Sequence, residues 1–193
     1  TTDAVSPAAI AQWYRSGIQR LPLALQKLEV PSIAAVNGPA IGAGNDLACM
    51  CDMRIASTTA SFAESFIRVG LIPGDGGAWL LPRVVGLSKA MEMSFTGDAV
   101  RCDEALAIGL VSRVVAPEML LESAREVARA IAAHSEYGVW MTKKGLRANL
   151  DAPSLRHAME LENRTQVLGC FTGCMEESMK AFQEGRAPRW NKL

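Results

Sequence analysis

The sequence has little histidine, few aromatic residues and no net charge, and these shortages exclude several classes of function. Only 2 of its 193 residues are histidine, and 6% are aromatic. The 20 basic residues balance the 20 acidic ones, so the formal net charge is zero at pH 7. A chain without excess positive charge lacks the general attraction to phosphate backbones that nucleic-acid-binding proteins use. We therefore expect no nucleic acid partner.

We expect no signal peptide, and the sequence has neither a long apolar run nor a regular array of metal ligands. No stretch stays apolar over the roughly 20 residues that a membrane-spanning helix needs, so we expect no membrane partner. An odd number of cysteines cannot all pair within the chain, and their scatter does not match a zinc site. We expect free thiols, a reducing compartment such as the cytoplasm, and no metal. The cysteines are Cys49, Cys51, Cys102, Cys170 and Cys174.

An initiator methionine is absent as well. The chain opens on Thr1 and Thr2, so we expect that an N-terminal part of the protein precedes it. What is present is globular in character, because 49% of the residues are hydrophobic and 21% are charged. A chain of this length can bury a substantial core.

The most informative stretch is Ser32–Asp52, with the sequence SIAAVNGPAIGAGNDLACMCD. It begins as a buried apolar strand and continues through a glycine-rich turn, where Gly42 and Gly44 allow sharp bends or close approach to a ligand. Asn45 and Asp46 then open a helix. The first N–H groups of a helix have no partner within it, so they suit a negative oxygen such as a phosphate or an enolate. The stretch therefore predicts an anion site with a carboxylate beside it.

Two other interpretations of this stretch remain open from the residues alone. Strand–glycine–helix turns are common in α/β proteins, and most of them carry out no chemistry. A dinucleotide site is disfavoured, because the glycines stand at Gly38, Gly42 and Gly44 rather than in the G-x-G-x-x-G spacing.

The periodicity of apolar residues predicts an α/β first half and a helical second half. Pro7–Leu28 reads as a helix that Pro22 kinks or splits. Ser61–Phe66 is ambiguous between strand and loop. The other predicted elements are strands over 33–36, 53–57 and 110–115, a short helix ended by Pro82, helices 88–95 and 103–109, and four helices over 119–133, 137–149, 154–168 and 172–184.

Several segments together resemble the crotonase superfamily, the enoyl-CoA hydratase/isomerase family. They occur in the order and spacing of that family and cover nearly the whole chain. They are PSIAAVNGPAIGAG from Pro31, CDMRIA from Cys51, VGLIPGDGG from Val69, Thr96-Gly97, and DEALAIGLVSRVV from Asp103.

The resemblance implies a fold and a class of ligand. The fold is α/β, with a spiral of ββα turns over residues 1–116, incomplete at its start, and a helical trimerisation region over 117–193. Members bind acyl-CoA thioesters and assemble as homotrimers or dimers of trimers. No cofactor is implied apart from coenzyme A as part of the substrate.

The resemblance also assigns residues to an oxyanion hole and to proton transfer. One backbone donor to the thioester oxygen is Ala43, between the pocket residues Gly42 and Gly44, and the other is expected from the missing N-terminal portion. Asp46 aligns with the first of the two glutamates of hydratases. The second aligns with Phe66, which cannot transfer a proton.

Two carboxylates are candidates to replace that second glutamate. Asp75 lies in the Pro-Gly-Asp-Gly-Gly turn, one position after an aspartate that some isomerases of the family use. Glu64 shares a face with Phe66 if the segment is extended. Paired carboxylates near Phe66 and Trp79, which we expect to line the substrate pocket, would form an acid–base pair.

Structural roles compete with these assignments. Asp46 could simply cap a helix, Asp75 could be an exposed turn residue, and Glu64 could be solvated. Asp52 is interpreted as structural, holding backbone N–H groups.

The C-terminal tail is similar to the family segment that contacts coenzyme A. It contributes Phe182 and Arg186 as candidate coenzyme A contacts. A basic, frayed terminus is the simpler interpretation.

We therefore expect an enzyme that hydrates or isomerises an enoyl-CoA through a thioester enolate. Phe66 favours isomerisation, whereas family frequency favours hydration. The alternative is a non-catalytic, oligomeric acyl-CoA-binding protein. A nucleotide-dependent oxidoreductase has no motif to support it.

Overall fold

The computed structural model describes residues 6–190, which form two compact units. The core unit comprises Ser32–Arg125 and the described part of Thr1–Leu28. The helical unit comprises Glu29–Pro31 and the described part of Glu126–Leu193. The predicted domain boundary at residue 117 stays a prediction. The opening residues that suggested a missing N-terminal part lie outside the described range.

The strands of the core unit form two small sheets. One has the order β1-β3-β6 and is entirely parallel. The other has the order β2-β4-β5, in which β2 and β4 run parallel and β5 is antiparallel to β4. The strands are β1 Ile33–Val36, β2 Pro39–Ile41, β3 Met53–Ser57, β4 Ser61–Ala63, β5 Val100–Arg101 and β6 Arg113–Val115.

Helices account for most of the rest of the described chain, with short 3-10 turns over Ser65–Val69 and Pro117–Met119. The α-helices are α1 Pro7–Ser16, α2 Arg20–Gln26, α3 Ala43–Met50, α4 Gly77–Val85, α5 Leu87–Thr96, α6 Cys102–Ala107, α7 Leu120–Ala132, α8 Glu136–Asn149, α9 Leu155–Cys170 and α10 Cys174–Gln183. None of the helices within residues 6–190 is long and apolar enough to span a membrane.

The order of elements repeats as a spiral of ββα turns, which confirms the predicted fold. β1, β2 and α3 form one turn, and β3, β4 and α4 form the next. Each new strand is laid parallel to its counterpart, with Ile33 opposite Met53 and Pro39 opposite Ser61. Parallel neighbours require a crossover connection, and α3 supplies it.

Small apolar residues fill the space between the sheets and the helices. Alanine allows the close approach of helix and sheet backbones, and the few large side chains occupy the remaining space. The buried cluster is Ala40, Ala48, Cys49, Ala56, Ala60, Phe62, Leu81, Ala90, Met93, Val100, Ala105, Leu110 and Val111.

Three predicted helix boundaries are wrong. The first helix breaks at Gly17, and Pro22 lies inside α2, in the first turn where a missing N–H costs little. Pro82 does not end α4, which continues to Val85, because the Ala78 carbonyl that loses its partner is exposed. α5 begins at Leu87 with Gly86 as its N-terminal cap, one residue before the predicted start at 88.

The strand predictions fail where strands are shortest. The Asn-Gly-Pro sequence reads as a turn, yet Pro39 begins β2. The ambiguous Ser61–Phe66 segment is a strand only as far as Ala63. The strand predicted over 110–115 is confined to Arg113–Val115.

The four predicted C-terminal helices are confirmed as α7 to α10. Two begin at a serine whose hydroxyl accepts a backbone N–H: Ser135 from Gly138 at 3.0 Å and Ser154 from His157 at 3.2 Å. Such caps satisfy N–H groups that have no partner inside the helix. Gly185 follows α10 with a φ of 63°, the left-handed conformation that suits glycine at a helix end.

Candidate active site

The site is built around the first turn of α3. Gly42 precedes the helix with a φ of 54°, a conformation that other residues rarely adopt. Its N–H donates to the Ala63 carbonyl at 2.8 Å, and its carbonyl accepts the Asp46 N–H at 3.0 Å. One residue therefore ties the end of β2 to the end of β4 and starts the helix.

Ala43 occupies the first position of α3, as expected for a backbone donor. Both Ala43 and Gly44 are exposed, although their neighbours on either side are buried. The N–H groups of a first helical turn have no acceptor inside the helix. Within residues 6–190, none outside the helix accepts a hydrogen bond from Ala43 either. The donor is therefore available to an external oxygen. We call the turn formed by Gly42, Ala43 and Gly44 the cradle.

Three carboxyl groups converge beside this turn. Asp46 lies on α3, Glu64 follows β4 directly, and Asp75 lies in the turn before α4. Their exposed fractions are 0%, 1% and 3%. Within the described residues, none of the three forms an ion pair with a lysine or arginine side chain. We call these residues the acid cluster.

One amide contacts the acid cluster, a role that was not predicted from its position in the sequence. Asn45 is fully buried, and its Nδ2 donates to Oε2 of Glu64 at 2.8 Å. Both carboxyl oxygens of Asp46, both of Asp75 and Oε1 of Glu64 lack hydrogen-bond donors within the described residues. The signal available in the sequence was Asn45-Asp46, an amide directly before a carboxylate. These residues lie in the first turn of the helix and not before it.

Burial and mutual proximity keep protons on the acid cluster. Burial, together with the nearby carboxyl groups of Asp75 and Glu64, raises the pKa of Asp46 to about 10. Burial also raises the pKa of Glu64, while hydrogen bonds from Asn45 and Asp46 oppose that rise. Since these carboxyl groups interact directly, they titrate as one coupled system.

The turn that carries Asp75 is held from two sides. The Gln19 side chain donates to the Gly74 carbonyl at 2.9 Å. The Tyr14 ring lies so close to Gly74 that an added Cβ there would be 2.8 Å from Cε1. A Cβ on Gly77 would collide with the Asp46 carboxyl group. Glycine at position 77 is thus what lets α4 pack against the acid cluster.

These placements overturn the simpler interpretations. Asp46 does not cap α3, because no side chain caps that helix. Asp75 is not an exposed turn residue, and Glu64 is not solvated. The argument that placed Glu64 on the same face as Phe66 is also wrong. The chain leaves the extended conformation after Ala63 and enters a 3-10 turn, and Glu64 reaches Asp46 at the junction.

The predicted pocket residues occupy different surroundings. The half-buried Phe66 ring lies against the cradle, since a Cβ on Gly42 would be 3.6 Å from it. Trp79 is 42% exposed and stacks with the Arg83 guanidinium, whose carbon lies 3.8 Å from the ring centroid. It is therefore not a core residue.

Asp52 is structural, as predicted. Its Oδ2 accepts the Ser32 backbone N–H at 2.7 Å and the Ser32 hydroxyl at 2.9 Å. This pair of hydrogen bonds joins the end of α3 to the start of β1. A clasp of this kind fixes the strand that precedes the cradle.

The tail residues lie in the helical unit. Phe182 is 87% exposed. The Arg186 guanidinium is engaged by Glu177 at 2.6 Å and by Glu184 at 2.6 Å. Contact of either residue with coenzyme A stays a prediction, and Arg186 would have to exchange a carboxylate for a phosphate to make it.

A family model described as enoyl-CoA hydratase/isomerase matches residues 4–192. The chain belongs to the enoyl-CoA hydratase/isomerase family. A probable mitochondrial enoyl-CoA hydratase of Dictyostelium discoideum is 40% identical over 189 residues, which cover 98% of this chain and 65% of that protein. The probable enoyl-CoA hydratase EchA12 of Mycobacterium tuberculosis strain H37Rv is 44% identical over 168 residues, which cover 86% of this chain and 59% of that protein.

Solved structures of this family share the fold. A probable enoyl-CoA hydratase/isomerase from Mycobacterium abscessus superposes with a TM-score of 0.89 at 38% identity, covering 97% of this chain and 73% of that one. The chain thus spans less than two thirds of the length of the two relatives above and about three quarters of this structure. Within residues 6–190, no group of side chains is arranged to hold a metal ion.

Proposed function

We propose that the gene product containing this chain hydrates or isomerises an enoyl-CoA through a thioester enolate. The Ala43 N–H donates to the thioester oxygen, where negative charge develops as the enolate forms. The acid cluster beside it moves the protons. The observation that carries this proposal is the burial of Asp46, Glu64 and Asp75 beside a free helix start.

The geometry supports an acid–base role because it keeps both proton states available. A buried carboxyl group with a raised pKa holds its proton near neutral pH and can act as an acid. Asp46 meets that description. A neighbour that receives an N–H hydrogen bond is stabilised as a carboxylate and can act as a base, and Glu64 meets that description.

Phe66 favours isomerisation over hydration by two glutamates. Its ring lies against the cradle where the family resemblance expects the second glutamate, and it offers an apolar surface to an acyl group. Dienoyl and cyclic acyl-CoA substrates are therefore tested beside a short trans-2-enoyl-CoA.

Assembly and location are part of the same proposal. Large apolar side chains stand exposed on the helical unit, among them Leu155 at 77% and Phe171 at 84%. Such surfaces usually mark contact with other chains, which supports a homotrimer or a dimer of trimers. All five cysteines are free thiols, which supports a reducing location such as the cytoplasm.

The experiment measures turnover of these thioesters by Asp46→Asn, Glu64→Gln and Asp75→Asn variants of the gene product. We expect the first two changes to lower kcat by about 100-fold or more. Asp98→Asn is the control, because that carboxylate is exposed and pairs with Arg68 at the surface. Full activity in all three cluster variants would refute this site.

A non-catalytic role is the other outcome. A protein that binds butyryl-CoA but turns over none of these substrates would be an acyl-CoA-binding protein. That result would replace the enzymatic proposal while keeping the cradle as the binding site.

A further inference from the structure

The Asn45 side chain has no role in starting α3, although it lies in the first turn. The helix begins after Gly42, and its amide N–H groups receive no side-chain cap. Asn45 instead points inward, where it is fully buried, and its Nδ2 donates to Glu64. Burying an amide costs free energy unless its hydrogen bonds are made. Within the described residues, Nδ2 of Asn45 makes the bond to Glu64, whereas Oδ1 has no partner.

Among the three members of the acid cluster, Glu64 accepts the hydrogen bond from Asn45 and the other two do not. Oε2 of Glu64 accepts the Asn45 amide at 2.8 Å, while the oxygens of Asp46 and Asp75 accept nothing within residues 6–190. Adjacent buried carboxyl groups cannot all be ionised, so they share protons. A donor aimed at one member stabilises the negative charge on that member.

We propose that Asn45 is a positioning residue that makes Glu64 the anionic member of the acid cluster and leaves the proton on Asp46. This inference rests on the proposed function for its consequence in catalysis. It gives the neighbouring carboxyl groups distinct tasks, which their shared burial alone would not do.

The proton inventory balances in both candidate reactions. In isomerisation, Glu64 takes a proton from one substrate carbon as the enolate forms, and Asp46 returns a proton to another carbon. In hydration, Glu64 takes a proton from water as oxygen bonds to Cβ, and Asp46 gives a proton to Cα. Either turnover leaves Glu64 protonated and Asp46 ionised, and one proton passing from Glu64 to Asp46 restores the start.

Besides Asn45, the protonated carboxyl group of Asp46 is the one hydrogen-bond donor within residues 6–190 that opposes the rise in the pKa of Glu64. The titratable groups that face it are Asp46 and Cys49 from α3, and Asp75 from the turn before α4. Burial raises the pKa of the Cys49 thiol to about 12, so it is neutral near pH 7. No lysine or arginine within residues 6–190 pairs with Glu64. The amide of Asn45 is the donor that favours the ionised form of Glu64 wherever the shared proton lies.

The test titrates Glu64 directly in the gene product. Infrared difference spectra between each protein and its Glu64→Gln counterpart report the Glu64 carboxylate stretch across pH. We expect Asn45→Leu to move the apparent pKa of Glu64 upward by about one or more, because a hydrogen bond to the charged form is lost. Asn45→Ala is titrated in the same way and keeps the test decisive if the leucine variant does not fold.

The pH dependence of kcat/KM is a second readout, and a purely structural role of Asn45 would leave it unchanged. The acid limb of the kcat/KM profile should shift with the titration, and kcat should fall about tenfold while KM is retained. Asn45→Gln keeps an amide donor and should restore part of both. Asn149→Leu is the matched control, since Nδ2 of the half-buried Asn149 donates to the exposed Glu162 at 2.9 Å.

The outcomes separate this inference from the proposed function. An unchanged Glu64 titration in Asn45→Leu and Asn45→Ala, with an active wild type, overturns the inference alone. A shifted titration in a protein that turns over no thioester supports the role of Asn45 and refutes the proposed function. A loss of activity that follows only the thermal stability of the variants also overturns the inference.

Discussion

Glu64 in the core unit and Glu177 in the helical unit carry the same side chain in opposite surroundings. Glu64 is 1% exposed, without a cationic partner among residues 6–190, and burial raises its pKa. Glu177 accepts hydrogen bonds from the two terminal guanidinium nitrogens of Arg186, at 2.6 and 3.2 Å, and from the Arg189 backbone N–H at 2.6 Å. Those hydrogen bonds lower its pKa to about 2. A fold selected only for stability would pair both acids in the second way.

The difference separates a reactive region from a structural one. Unpaired buried acids oppose folding at neutral pH, whereas an acid bonded to arginine supports it. Natural proteins keep such unfavourable groups mainly where function requires them. Changes that relieve the unpaired acids of the core unit should therefore stabilise it and inactivate it together. Changes in the helical unit, apart from its candidate coenzyme A contacts, should affect stability alone.

The largest expected effect comes from Gly77→Ala. The new methyl group would collide with the Asp46 carboxyl group, so α4 or α3 must shift. We expect a loss of about 1–3 kcal/mol in the free energy of unfolding, as for other overpacked cores, with a loss of activity. Urea denaturation measures the first and turnover measures the second.

Gly145→Ala is the matched control for that substitution. Gly145 lies inside α8, and a Cβ there meets no atom within 4 Å. Alanine is a better helix former than glycine by about 1 kcal/mol, so this variant should be slightly more stable. Equal effects at the two glycines would contradict the close packing around Asp46.

Asp46→Asn should be more stable than the wild type at pH 8. The folded pKa is raised from 3.8 to about 10, so the folded state retains a proton that the unfolded chain releases. The stability contributed by this proton is present below about pH 4 and is lost progressively as the pH rises toward 10. The amide removes that dependence, with a gain of about 1–2 kcal/mol at pH 8.

Thermal unfolding at pH 5 and pH 8 checks this expectation. The wild type should lose more stability than Asp46→Asn between the two values. A variant less stable than the wild type at pH 8 would show that the carboxylate is better satisfied than the structure indicates.

The smallest effect is expected from Glu177→Gln. Its lowered pKa means that the stability it adds is present above about pH 4.5 and is lost as the pH falls toward 2. The variant should have a slightly lower Tm at pH 7 and faster hydrogen exchange at the Arg189 amide. The neighbouring Glu176→Gln is the control, because Glu176 is exposed. Unchanged exchange at Arg189 would contradict the anchoring role of Glu177.

The fold was largely predictable where the chain follows one period for several turns. The helices of the second half, α7 to α10, repeat apolar residues at helical spacing. α8 and α9 begin at serine caps, and Gly185 follows the end of α10. β2 was missed because three residues give no periodic signal and Asn37-Gly38-Pro39 favours a turn. Pro22 was given too much weight, since proline is tolerated in the first turn of a helix.

The acid cluster was predictable in its members and not in its geometry. Asp46, Glu64 and Asp75 could each be named from the resemblance and from simple chemistry. The contact between Asn45 and Glu64 could not, because the residues are 19 positions apart and meet only after β2 and β4 pair. Whether a carboxylate is buried or exposed depends on such long-range packing, which is why the simpler interpretations of Asp75 and Glu64 failed.

The hydrogen bond between Gly42 and Ala63 couples two parts of the site mechanically. Ala43 directly follows Gly42 in the chain, and Glu64 directly follows Ala63. The proposed donor for the thioester oxygen and the candidate base are thus each one peptide away from a shared 2.8 Å bond. Thermal motion of one strand should carry both groups together and preserve their spacing. Directed evolution could therefore reshape the proposed acyl pocket around Phe66 for new substrates while the distance between the proposed donor and base stays constant.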